Sequence, residues 1–160
     1  MDRRIAGAPF YTAVLLAVLA PGAAGQENSA PEMPGIFNEP MPYFTIGLGP
    51  FSRTITTDST EAQAFFDQGI QLTYSFTLMD AARSFREAQL RDPECAMCYF
   101  GEAWAWGPYM NGPMGGGALP RAHAAIQKAL ELAPDHATRV ERELIDAIAV
   151  RYVGRTDRTP

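Results

Sequence analysis

The residues of this chain whose types and spacing come closest to chemistry are the pair in the run Cys95-Ala96-Met97-Cys98. A separation of three puts both thiols on one face of a helix. Asp92 and Pro93, just ahead of them, predict a helix that opens there, with Asp92 as cap and Pro93 in the first turn. A helix N-terminus lowers the pKa of a thiol, which is the setting of CxxC redox motifs. A thioredoxin-type motif also needs a βαβ context, and the surrounding sequence does not read that way. Zinc would need two further ligands, and His123 and His136 are the only histidines. Haem attachment needs histidine directly after the second cysteine, where Tyr99 stands. Three readings of Cys95 and Cys98 stay open: a local disulfide without catalytic role, two packed thiols, or redox or metal chemistry.

The other chemistry-bearing residues point to packing and binding. Met79, Met97, Met110 and Met114 are soft donors of the kind that selects Cu(I). They form no tight Met-x-Met cluster, so they read as fillers of a helical core. Tyr99, Phe100, Trp104, Trp106 and Tyr109 make one segment unusually aromatic, with Phe100 and Trp104 on one stripe and Tyr99 and Trp106 on another. The run GPYMNGPMGGGALP, residues 107–120, holds five glycines but no Gly-Lys-Ser/Thr ending, so it is a long loop and not a phosphate cradle. Glu102 and Asp146 are single carboxylates on helices, whose usual fate is solvation or an ion pair. The reading is therefore non-enzymatic, with no cofactor and no metal site expected.

The 160 residues carry 13 Lys+Arg against 18 Asp+Glu, a formal net charge of −5, and 47% of them are apolar. That is a globular composition, and the absence of a basic stripe speaks against nucleic acid. Arg3 and Arg4, then the apolar run Phe10 to Ala20 and the small residues Pro21 to Gly25, have the order of a secretory signal peptide. The apolar run is well short of the roughly 20 residues that span a bilayer. Residues 1–25 are thus expected to be removed, leaving an exported product, periplasmic or extracellular, with no stable membrane insertion. In an exported chain the two thiols are expected to be oxidised to each other.

Behind these residues lie the elements that must position them. Pro31, Pro34, Pro40, Pro42 and Pro50 exclude a useful helix across residues 26–57. The start of that segment reads as a flexible leader, and Tyr43 to Thr57 as an extended arm against the first helix. From residue 58 the pattern becomes helical. Asp58 with Glu61 predicts a capping box for a helix through Phe65, Phe66, Gly69, Ile70 and Leu72. Ala81, Ala82, Phe85, Ala88 and Leu90 give the next helix its apolar face. A glycine inside a helix costs about 1 kcal/mol relative to alanine, so Gly69 implies close approach of that second helix near Ala88.

The spacing resembles the tetratricopeptide repeat (TPR), a helical hairpin with a period of about 34 residues. Phe65, Gly69, Ala81, Phe85, Ala88 and Pro93 stand at its packing places, with Leu72 where tyrosine is usual and Gln68 as the one outright departure. A second unit places Tyr99, Ala103, Trp106, Ala122, Ile126, Ala129 and Pro134 likewise, once the glycine-rich loop is taken as an insertion. A partial third starts near Ala137, with Val140, Leu144, Ile148 and Tyr152 as its apolar stripe. The run from Phe65 to Asn111 is similar to a group of exported bacterial TPR proteins considerably longer than this chain.

The resemblance implies an all-α right-handed solenoid over residues 58–152, with repeats 62–95 and 96–136. Residues 153–160 would be a polar tail or a truncation point, with further repeats beyond Pro160 in a full-length protein. It also implies a protein or peptide partner held in the groove lined by the first helix of each repeat. The candidates there are Gln63, Phe66, Gln71, Tyr74, Phe100 and Trp104. The aromatic arm is an internal alternative for covering the same surface. The rival function is redox or metal handling centred on Cys95 and Cys98.

Overall fold

The structure, a computed structural model, describes residues 33–115 and 117–152; the expected signal peptide and the tail 153–160 lie outside them. Five α-helices, and no strands, are found among the described residues: α1 (Thr60–Tyr74), α2 (Leu78–Arg91), α3 (Ala96–Trp106), α4 (Ala118–His136) and α5 (Arg139–Ala149). A single 3-10 turn, Gly35–Asn38, precedes them.

The helix ends follow local chemistry, with shifts from the sequence pattern. The cap of α1 is Ser59, whose hydroxyl accepts from the Ala62 N–H at 3.1 Å, one residue later than the expected Asp58. Both side chains are good caps, so the pattern alone does not select the register. At the other end of α1, Phe76 takes a left-handed conformation (φ 62°), a position usually given to glycine. The N–H groups of Phe76 and Thr77 donate back to Thr73 O and Leu72 O and close the helix. Asp92 and Pro93 form a turn ahead of α3 and not its first turn: the Asp92 carboxylate accepts from the Glu94 N–H, and Cys95 is the cap. Pro134 stands in the last turn of α4, not in the turn after it. For α5 a capping box forms between Thr138 and Glu141.

Each helix packs on the next, and α3 also touches α1 and α5, so the odd-numbered helices meet along one side. Phe85 of α2 is the pivot. It is fully buried and fills the space left by two glycines, because a Cβ on Gly69 would come within 2.6 Å of its ring and one on Gly101 within 2.3 Å. The sequence pattern finds Gly69 and misses Gly101. The residues assigned to repeat packing are otherwise buried or half-buried, with Pro93 and Pro134 exposed at their turns. On α5 the expected stripe is rotated: Val140 is 60% exposed, while Glu141, Ile145, Ile148 and Tyr152 face inward. The Tyr152 hydroxyl donates to Ala103 O at 2.7 Å, satisfying a carbonyl near the C-terminal end of α3.

The N-terminal segment is not a free leader in its described part. Phe37 stacks on Trp106 at 5.4 Å, and the buried Met41 donates its N–H to Glu87 at 2.9 Å. The segment then crosses α1 and ends at α5, where Thr56 donates from both N–H and hydroxyl to Glu141 at 2.8 and 2.6 Å. The arm therefore contacts α1 as expected and α5 as well, while Phe37 and Met41 of the expected flexible leader reach α3 and α2.

Candidate functional site

Where the odd-numbered helices meet, four rings form a chain. Phe51 of the arm lies 6.1 Å from Tyr74 at the end of α1, Tyr74 lies edge-on 5.9 Å from Trp104 of α3, and Trp104 lies 6.2 Å from Phe100 one turn earlier. These rings border an open cavity of 270 Å³ whose lining also includes Ile70 of α1 and Leu144 and Ile148 of α5. Arg53 of the arm and Arg151, just past α5, stand in the same lining. The volume falls just below the range of about 300–1,000 Å³ typical of small-molecule sites. It suits one bulky side chain.

The expected groove residues divide. Tyr74, Phe100 and Trp104 are brought together in this cavity, with Tyr74 63% exposed, Trp104 half-buried and Phe100 largely covered. Phe66 is not a groove residue: it is fully buried, its ring 5.5 Å from that of Phe85. The helical pattern offers two adjacent phenylalanines, and both are inside: Phe66 packs on Phe85 of α2, while Tyr43 of the arm lies edge-on 5.6 Å from Phe65.

Gln63 and Gln71 are also outside the cavity, and their amides hold the arm. Gln63 accepts from the Ile55 N–H at 3.0 Å and donates to Arg53 O at 2.9 Å, and Gln71 donates to Phe51 O at 3.0 Å. Asp67 between them accepts from the Ser52 hydroxyl and the Arg53 N–H, at 2.6 and 2.9 Å. Gln68, the outright departure from the repeat pattern, accepts from the Phe44 N–H at 2.7 Å and donates to Pro42 O at 3.0 Å. Phe51, Arg53, Leu144 and Arg151 were absent from the expected site. The arginines follow no apolar periodicity, and Phe51 enters only through the path of the arm.

Cys95 and Cys98 are joined in a disulfide and are not two separate packed thiols. Both are essentially inaccessible, at 1% and 0% exposure. Thiol–disulfide exchange requires a thiolate to reach a disulfide sulfur, and burial removes that access. The bond staples the first turn of α3, where the Cys95 sulfur also accepts from the Cys98 N–H. The methionines differ in setting: Met97 is in the core, whereas Met79 and Met110 are exposed. Among the described residues no group of three His, Cys, Asp or Glu side chains has the spacing to hold a metal.

Besides Glu87, the buried carboxylates Glu102 and Glu141 are structurally engaged. Glu102 accepts from Arg86 at 3.1 Å, Gln89 at 2.7 Å and the Trp106 indole at 3.2 Å. Glu141 is penalised as an anion by burial, yet hydrogen bonds from Thr56 and Thr138 outweigh that penalty and hold its carboxyl below the usual range. A larger cavity of 450 Å³ lies between the N-terminal segment and α2, and three of the four charged residues lining it are engaged in ion pairs, Arg83 with Asp80, Arg86 with Glu102 and Glu87 with Arg91. No helix among the described residues is long and apolar enough to cross a membrane. Comparison with known proteins adds no relative, since no family model, no curated protein and no solved structure matches the chain.

Proposed function

We propose that residues 58–152 form a TPR-like solenoid that binds a protein or peptide without catalysis, as a scaffold acting outside the cytoplasm of a bacterium. The observation that carries this reading is the cavity between α1, α3 and α5, where Tyr74 and Trp104 offer accessible aromatic surface beside buried packing residues. Aromatic anchors at the centre of an interface typically dominate its energy. Supporting the solenoid reading are the two helical hairpins in sequence register and the contacts among odd-numbered helices. Supporting the export reading are the signal-like first 25 residues and the disulfide, which an oxidising compartment favours.

The test is selection of binders from a displayed peptide library on the whole protein, repeated with two variants. Trp104→Ala is expected to lose about 2 kcal/mol or more of binding with a small change in melting temperature. Phe85→Ala, a core change, is expected to lose stability first. If Trp104→Ala melts as early as Phe85→Ala and still captures the selected peptides, Trp104 is core and the groove is not the site.

A further inference from the structure

The cavity at the meeting of α1, α3 and α5 is apolar through its middle and singly signed in charge at its edges. Phe51, Tyr74, Trp104 and Ile148 supply the apolar walls, and the ionisable side chains in the lining, tyrosine apart, are Arg53 and Arg151. The two arginines come from different elements, the arm and the end of α5, and both are exposed. Neither guanidinium has an ion-pair or hydrogen-bond partner among the described residues. The acid tied to this wall, Asp67, spends its two oxygens on the Ser52 hydroxyl and the Arg53 backbone N–H and does not line the cavity.

Resting on the peptide-binding reading above, we propose that this cavity takes an extended peptide segment in which one bulky apolar side chain is flanked by acidic side chains. The volume of 270 Å³ admits one such side chain between the rings. Unpaired guanidiniums are left for carboxylates beside it, and arginine presents a planar fork that matches a carboxylate. The rest of the chain sharpens the choice. With a net charge of −5 the protein repels acidic ligands in general, so two unpaired arginines at one apolar cavity make a local exception.

The experiment uses fluorescein-labelled peptides with a central phenylalanine flanked by glutamates, by glutamines or by lysines, titrated against the whole protein at low and high salt. The glutamate peptide is expected to bind tightest and to lose its advantage at high salt. Each of Arg53→Gln and Arg151→Gln is expected to weaken the glutamate peptide by about 2- to 5-fold, the range of exposed ion pairs, and to leave the glutamine peptide unchanged. Arg151→Glu is expected to move the preference toward the lysine peptide, an outcome that mere loss of folding does not produce. Equal binding of all three peptides, still sensitive to Trp104→Ala, would overturn the acidic preference and leave the groove reading intact. Binding of none of them to the wild-type protein would overturn the proposal, and the library selection then decides the groove reading separately.

Discussion

The inner side of α1 and that of α3 each carry a stripe at four-residue steps, and the two stripes meet their surroundings in opposite ways. On α1 the stripe is Gln63, Asp67 and Gln71, joined by Gln68, and it is occupied by the chain's own arm through backbone hydrogen bonds. On α3 the stripe is Phe100 and Trp104, bordering an open cavity. A carboxamide presents a donor and an acceptor together, so it satisfies both backbone groups of an extended strand. An aromatic ring satisfies neither, so a surface made of rings suits an apolar side chain better than a backbone. The same helical geometry thus holds a segment of the chain on one helix and borders an open cavity on the next.

Phe85→Ala is expected to have the largest effect because its ring underlies both stripes, against Gly69 of α1 and Gly101 of α3. A loss of about 3–5 kcal/mol is the usual range for such a truncation, and calorimetry should show it. Hydrogen exchange should show arm and groove loosening together. Loosening of only one would mean that the two surfaces are supported separately.

Next comes the clasp between the arm and α5. Glu141→Gln removes charge from hydrogen bonds donated by Thr56 and Thr138, with an expected cost of about 1–3 kcal/mol at neutral pH. Because the folded carboxyl titrates below its unfolded value, this stabilisation is present above the usual carboxylate range and is lost as pH falls through the lower, folded value. The gap in melting temperature between wild type and variant should close in acid. A gap that persists there would assign the effect to packing. Hydrogen exchange should report loosening of residues 52–57 with little change around Phe100.

The smallest effect tests the end of α1 that carries the groove's Tyr74. Phe76→Gly is expected to stabilise by about 1 kcal/mol, the cost of a left-handed backbone for a residue with a Cβ. Loss of the ring contact with Tyr109, at 6.1 Å, opposes this gain. A lower melting temperature would show that the exposed Phe76 ring contributes more than its backbone costs.

The helices were legible because Phe65, Phe85, Ala88, Ala122 and Ile126 recur at helical intervals and are buried, and burial is what periodicity reports. Their caps were less so, since Asp58 and Ser59 are chemically near-equivalent starts for α1. The candidate site was half legible. Phe100 and Trp104 stand on one stripe in the sequence alone, and Tyr74 joins them through the packing of α1 on α3. Phe66 falls in the core and not in the groove: the two adjacent phenylalanines are both buried, Phe66 on Phe85 of α2 and Phe65 beside Tyr43, and periodicity alone does not say which one faces α2. The pairing of Thr56 with Glu141 spans 85 residues and rests on one threonine and one carboxylate, a contact with no local signature. Arg53 and Arg151 escaped for the same reason.

The most direct test of the groove uses the two tryptophans, Trp104 and Trp106, which stand in different settings on one helix. Trp106 is 7% exposed with its indole N–H on Glu102, whereas Trp104 borders the cavity. Indole N–H resonances are to be followed by NMR during titration with a peptide selected on the protein. The account expects the Trp104 signal to shift with saturation while that of Trp106 stays in place. A shift of Trp106 alone, or of neither indole on saturable binding, would place the partner elsewhere and contradict it.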